Sequence, residues 1–457
     1  LVMKDFIFNM LSARLRWPDM LVREQTFHAI KDFLIRNQSF KYNFLTFLEA
    51  QNLESKVLEI LAIIYLVNHE QTNYFTLNEV ETNIKAPSLL SDIYLEEIFQ
   101  LKFERQNRSW RKNHSANAPY GFKKNCINHK PNGLVRHNLD ALKNISNLEL
   151  TLEKQFYFEY KQILSKEKCL FDGQIDYFCE PRYTGFPNIK LIQDDIQISA
   201  FLRLISYCVD VHNMPTDIAL IMSQDFLPID LGLLELKPST KPFFINNLIN
   251  SNFQQWNFQE NDFIPVYLSC PLKEDTDAYF NKEIIALEIY PVHLNHIPKS
   301  LETYFEFFRR GELWQKIKKI PWHANIKKII IPEDIPKHFI GLFHNCYNYI
   351  QRLYTVERDL FIPNEKDLKL DIEKDKLLFK IDECIIGYMQ YWYDNYNIFS
   401  YKDTTCCAGI ITYLHKDYIG KINVNNDVTL LVNCRKFKTN NQDFFELSEN
   451  LYYSIKI

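Results

Sequence analysis

Residues 17–33, WPDMLVREQTFHAIKDF, decide how the first hundred residues are read. Pro18 suits the first turn of a helix, where its missing N–H would have had no partner. Val22, Thr26, Ala29, Ile30 and Phe33 then recur at helical spacing and predict one apolar face. Working outward, Phe6 to Leu11 is a helix-compatible apolar run, and Phe44 to Leu48 predicts a further helix. Leu53 to Leu66 predicts another, with Val57, Leu58, Leu61 and Ile64 on one stripe. Thr76 followed by Glu79 is the pattern of a capping box, in which each side chain satisfies a free N–H at a helix start. Residues 1–101 are therefore expected to be helical.

Residues 102–137 differ in character. Lys102, Arg105, Arg108, Arg111, Lys112, Lys123, Lys124, Lys130 and Arg136 are opposed by Glu104 alone, with Trp110, Tyr120 and Phe122 among them. The Asn, Ser, Pro and Gly content predicts a basic loop or insertion. From 138 to 260 helices return: Thr151 is expected to cap one running to Leu164, and Asp194 or Asp195 to open another through Ile198, Leu202, Ile205 and Val209. Pro215 begins a short helix to about Phe226. Beyond 260 the pattern turns to β at Phe263–Leu268, Ile284–Tyr290 and Ile329–Ile331, with a helical stretch near His338–Leu353. Ile422 and Val424 before Asn425-Asn426-Asp427, and Val428, Leu430, Val432 and Cys434 after it, predict a hairpin. The expected fold class is α+β, with N-terminal helices followed by a mixed, β-rich region over 261–457 that ends in a meander.

At 457 residues the chain exceeds what one core usually serves, roughly 250–300 residues, which predicts two or three domains. Only 10 glycines are present where average usage of about 7% would give about 30, leaving little for phosphate-cradling loops. No Walker loop, dinucleotide glycine fingerprint, serine nucleophile elbow or paired-histidine zinc helix occurs, which argues against an enzyme within this chain. The net charge of -4 is small for the length, so a charged partner must be met locally. Ten cysteines, single apart from Cys406-Cys407, fit reduced thiols and a cytoplasmic location. The apolar run Val57–Val67 is far short of the roughly 18 residues that span a bilayer, so no membrane partner is expected. Leu1-Val2-Met3 runs directly into apolar helix and reads as the continuation of an upstream polypeptide.

Several residues carry candidate chemistry. Cys126 and His129 have the two-residue gap that lets a thiolate and an imidazole share a tetrahedral zinc, with His114 or His137 to complete it; solvated loop residues are the alternative. Arg105, Arg108, Trp110, Arg111, Lys112, Tyr120, Phe122, Lys123 and Lys124 form the candidate partner-binding set, because cations meet phosphates or carboxylates and aromatic rings stack or enter pockets. Asp230 with Glu235-Leu236-Lys237 resembles a metal-dependent nuclease pattern, although the surrounding leucines favour packing. Cys406 or Cys407 with His415 would make a nucleophile and base, against buried strand thiols as the plainer reading.

The sequence Trp17-Pro18-Asp19-Met20-Leu21-Val22-Arg23 resembles the opening of a HEAT-type repeat, which implies helix pairs stacked into a solenoid. Ser199 to Tyr207, and Leu227-Pro228 through Glu235-Leu236-Lys237-Pro238 to Lys241-Pro242, resemble the long helical regions behind bacterial antiviral STAND-type NTPases. The resemblance implies a HEAT-like sensor that binds a foreign phage protein and controls an upstream NTPase and effector. ATP would then be bound, and self-association driven, by an upstream domain, with no cofactor in this chain. A nucleic-acid-processing enzyme or nucleic-acid-binding module using 102–137, and a structural scaffold, are the competing expectations.

Overall fold

The computed structural model describes residues 2–17, 20–122, 131, 133–146, 149–167, 192–224, 226–227, 231–237, 239–240, 242, 262–274, 283–292, 369–393, 408–418, 429–439 and 445–456. Among them are ten α-helices and eight strands, helices first and strands second, an α+β arrangement. The helices are α1 (Val2–Arg14), α2 (Met20–Arg36), α3 (Lys41–Glu49), α4 (Glu54–Glu70) and α5 (Leu77–Thr82). They continue with α6 (Leu89–Ile98), α7 (Gly133–Ser146), α8 (Glu149–Glu167), α9 (Ile192–Val211) and α10 (Thr216–Gln224).

Local signals set several of these boundaries. Thr76 and Glu79 form the expected capping box at the start of α5, and Ser88 and Ser91 form a second at α6. Pro215 lies just before α10, and its carbonyl accepts the Ala219 N–H at 3.0 Å. Thr151 is not the cap of its helix, because α8 spans Glu149–Glu167 and Thr151 lies within it. Asp195 does not cap α9 either, because its side chain is drawn into the core instead.

That core is organised around α4. Since α2, α6 and α9 all pack on it, nearly every residue from Glu54 to Val67 is buried. A helix enclosed on all sides must be apolar all round or have its charges paired internally. Glu59 of α4 and Asp195 of α9 share two cations. Arg23 of α2 donates to Glu59 at 2.9 Å and lies 3.5 Å from Asp195, while Lys56 bridges both at 2.9 Å. The Ser55 hydroxyl donates to the Asp195 carbonyl at 3.1 Å. Burial opposes the charge of Arg23, but Glu59 and Asp195 outweigh it and hold its pKa raised. These contacts weld α2, α4 and α9 together across 172 residues of chain.

A single apolar cluster runs from Phe8 to Leu234 and includes Trp110, so neither residue 101 nor residue 137 is a boundary of the core. In space, α9 lies between α4 and α8, which departs from strictly sequential stacking.

The strands form one antiparallel sheet in the order β3-β4-β5-β6-β1-β2-β7-β8. They are β1 (Phe263–Glu274), β2 (Glu283–Val292), β3 (Lys369–Glu373), β4 (Lys376–Ile381), β5 (Cys384–Tyr393), β6 (Ala408–His415), β7 (Thr429–Thr439) and β8 (Phe445–Lys456). The runs at Phe263–Leu268 and Ile284–Tyr290 fall in β1 and β2, whereas Ile329–Ile331 and His338–Leu353 lie outside the described residues. Residues 422–428 of the expected hairpin lie outside the described residues, and the run from Leu430 to Cys434 falls in β7, which pairs with β2 on one side and β8 on the other. Helices and sheet meet at residues 236–239. There the Lys237 N–H donates to the Lys374 carbonyl at 2.9 Å, the Ser239 N–H to the Tyr391 carbonyl at 2.7 Å, and the Tyr391 hydroxyl to the Leu236 carbonyl at 2.8 Å.

Candidate partner-binding surface

The first part of the basic stretch is a strap bound to acidic helix faces. Asp92 of α6 is buried and needs a cation. Arg108 supplies it through Nε and Nη2 at 2.7 and 2.8 Å, while its Nη1 reaches Glu81 of α5 at 2.7 Å. Its guanidinium also lies 3.6 Å from the centroid of the Phe103 ring, a stacking arrangement suited to a planar cation. The hydrogen bond to Asp92 is the largest influence on Arg108 and raises its pKa, whereas burial lifts the Asp92 carboxyl against the pull of Arg108. Arg105 pairs with Glu96 at 2.6 Å, and that glutamate also accepts the Phe103 N–H at 2.8 Å.

Beyond these pairs the strap is stitched to the helices residue by residue. Trp110 is fully buried in a 3-10 turn that packs on α9. Asn113 donates to Glu54 at 2.8 Å, and Arg203 reaches the same oxygen at 2.5 Å. Burial is the dominant influence on the Glu54 carboxyl and raises its pKa despite Arg203. His114 lies 3.1 Å from Asp210 through Nε2 and 2.8 Å from the Ser115 carbonyl through Nδ1. Ser115 donates from both N–H and hydroxyl to Glu159, at 2.7 and 2.8 Å, and the Ala118 N–H donates to Gln155 at 2.9 Å.

The candidate set therefore divides. Arg105 and Arg108 are paired within the fold, with Glu96 and with Asp92 and Glu81, and the Trp110 indole is buried. Arg111 is half-buried and Lys112 exposed, while Lys123 and Lys124 lie outside the described residues.

At the end of the strap the chain turns away from the acidic helix faces. A turn closed by the Phe122 N–H and the Pro119 carbonyl, at 2.9 Å, carries Tyr120, the most exposed large hydrophobic among the described residues at 103%. Lys154 of α8 donates to the Tyr120 carbonyl at 2.9 Å, and its ammonium sits 5.7 Å from the Tyr120 ring. Phe122 meets Phe158 of α8 edge to face at 5.4 Å, with the Lys161 ammonium 5.7 Å from the Phe122 ring. Lys154, Phe158 and Lys161 were missed in the sequence, although their spacing of four and three places them on one helix face.

The other candidates gain little. Both nitrogens of His114 are engaged, Cys126 and His129 lie outside the described residues, and the side chain of His137 is not described. Among the described residues no group of three ligating side chains could hold a metal ion. Asp230, Cys406 and Cys407 also lie outside them. Glu235 lies 2.6 Å from His69, Leu231, Leu234 and Leu236 are buried, and His415 packs edge to face on Phe263. No helix among the described residues is long and apolar enough to cross a membrane. No protein-family model matches the chain, and no curated protein matches it.

Proposed function

We propose that the helical unit is a partner-binding region whose contact surface is the cationic, aromatic patch of Tyr120, Phe122, Lys154, Phe158 and Lys161. One observation carries this reading: the Tyr120 ring is left wholly in water while its backbone is fastened by Lys154. An aromatic side chain presented from a fixed turn loses little entropy on entering a pocket, and the flanking ammonium groups favour a partner with carboxylates or phosphates around it.

The wider reading is a sensor region of a bacterial antiviral defence protein that controls an upstream NTPase and effector. It is supported by the HEAT-like opening at Trp17–Arg23 and by the likeness of Ser199–Tyr207 and Leu227–Pro242 to STAND-associated regions. The partner would then be a foreign protein with an acidic face. A Walker motif encoded upstream of Leu1 supports this reading, and a natural start at Leu1 sinks it.

The patch itself is tested with the combined variant Tyr120→Ser, Lys154→Ser and Lys161→Ser. Its anisotropy is compared with that of the unaltered protein against a labelled polyglutamate and a labelled oligothymidylate. The expected result is saturable binding of one probe that weakens about tenfold in the variant, equivalent to about 1.4 kcal/mol. Preference for the oligothymidylate, with affinity falling steeply as salt rises, would favour the nucleic-acid reading instead. Binding of neither probe, or binding indifferent to the substitutions, overturns the proposal.

A further inference from the structure

Helix α8 serves the strap with one face and the Tyr120 patch with another. Gln155 and Glu159, one helical turn apart, are 1% and 0% exposed. Their neighbours in sequence, Lys154 and Phe158, line the patch instead. Ser115 gives its N–H and hydroxyl to Glu159 at 2.7 and 2.8 Å. The Ala118 N–H donates to Gln155 at 2.9 Å, and Gln155 donates in return to the Ala116 carbonyl at 3.3 Å. Gln155 also donates to Glu159 at 2.9 Å, which ties the two side chains to each other.

Glu159 is a fully buried carboxylate held by neutral donors, and no cation among the described residues pairs with it. The adjacent imidazole, His114, lies with Asp210 instead. A buried charge without a cation is costly, and strong hydrogen bonds must offset that cost; bonds to a carboxylate are about twice as strong as neutral ones. Here they fall on the segment that leads into the Tyr120 turn. The turn's own fastenings are weaker. One bond closes it, from the Phe122 N–H to the Pro119 carbonyl, and the bond from Lys154 to the Tyr120 carbonyl is exposed to competition from water.

We propose that Gln155 and Glu159 are positioning residues of the Tyr120 patch. They fix the approach of the chain to α8, and so hold the Tyr120 and Phe122 rings beside Lys154 and Lys161 before a partner arrives. This role rests on the contact surface assigned above to those residues. A ring held in place loses less freedom on binding than one on a loose segment, so the clamp acts on affinity through Tyr120 without touching the partner.

The test sets Glu159→Leu, which removes the acceptors at similar volume, against Glu159→Gln, which keeps the contacts. The glutamine oxygen still accepts, and its amide group donates to the Ser115 hydroxyl, which turns to receive it. Amide exchange over residues 115–122 of the whole chain is expected to quicken at least about tenfold in Glu159→Leu and less than about threefold in Glu159→Gln. Affinity for whichever labelled probe the unaltered chain binds, polyglutamate or oligothymidylate, should fall at least about fivefold in Glu159→Leu and stay within about twofold in Glu159→Gln. Added to Tyr120→Ser, Glu159→Leu should weaken binding by no more than about a further twofold, because a residue acting through the ring loses its effect with the ring. Gln155→Leu carries the same expectations if Glu159→Leu does not fold.

Exchange unchanged in Glu159→Leu, or quickened with affinity intact, overturns the proposal. So does equal damage from Glu159→Gln, or an equal loss with and without Tyr120. Binding of neither probe by the unaltered chain strikes the contact surface and not the clamp, which exchange alone then decides.

Discussion

The strap 102–118 and the turn that follows it belong to one basic, aromatic stretch of sequence and have opposite fates. In the strap, Arg105 and Arg108 are taken up by Glu96, Asp92 and Glu81, and Trp110 enters the core. Two residues further on, Tyr120 stands in water with Lys154 and Lys161 near the rings of the turn. The difference comes from the helices underneath. α6 presents buried Asp92 and half-buried Glu96, which require cations, whereas the outward face of α8 presents Lys154 and Lys161, which do not. A run of positive charge is therefore left unpaired only where the surface beneath it lacks carboxylates.

Removing the strap's anchor should break this comparison most sharply. Trp110→Ala empties a fully buried site in the shared core and is expected to cost about 3–5 kcal/mol, read as a large fall in denaturation midpoint. A loss below 1 kcal/mol, itself well under the usual cost of a buried aromatic, would show that the strap is not part of the core. Arg108→Ala comes next. It strands Asp92, which is 2% exposed, and should cost about 2–3 kcal/mol, whereas Arg108→Ala combined with Asp92→Ala should recover part of that loss. A double variant destabilised by the sum of the losses of Arg108→Ala and Asp92→Ala would show that the two residues act independently.

These two effects also indicate how much could be read from sequence. Helices α2 to α5 were legible because their signals are local: apolar periodicity after Pro18, and a capping box between Thr76 and Glu79. The strands at Phe263 and Ile284 were legible for the same reason, from branched and aromatic runs. Pairing was not. Nothing near Phe263 announces that β1 will lie against β6, with Phe263 opposite His415, and alternation around Val432 marked a strand without naming its neighbours. The candidate site failed in the same way. Charge counting within 102–137 could not register Asp92 or Glu81, which lie earlier in the chain and neutralise Arg108 only after folding. Tyr120 and Phe122 were legible as aromatics in a basic stretch, while Lys154, Phe158 and Lys161 were overlooked as ordinary residues of a helix.

A smaller effect concerns acid. His212 sits at the end of α9 with its ring 5.2 Å from Tyr207, whose other neighbour is His114 of the strap. Burial lowers the pKa of His212 below its ordinary 6.5, and burial followed by Lys31 lowers that of His28 on α2. The folded protein thus resists protonation that the unfolded chain accepts. This contribution is complete above pH 6.5 and is lost as pH falls from there through the folded-state values. Stability should accordingly decline between neutral and mildly acidic pH, and His28→Gln should flatten part of the slope. A profile that His28→Gln leaves unchanged would remove that residue from the account.

The smallest expected effect is the most informative about function. Tyr120→Ser deletes the largest exposed aromatic of the turn but no buried contact. The Lys154 bond that holds the turn goes to the Tyr120 carbonyl, which serine retains. Surface substitutions of this kind usually shift stability by no more than about 0.5 kcal/mol, so the melt should scarcely move. The contrast with Trp110→Ala is then between two aromatics of one segment, one serving the core and the other free to serve a partner. A substantial loss of stability in Tyr120→Ser would mean that the ring is packed in solution, and the patch would join the strap as part of the fold. An unchanged melt accompanied by weaker capture of an anionic probe would separate the two roles, because a purely structural ring cannot lose binding without losing stability.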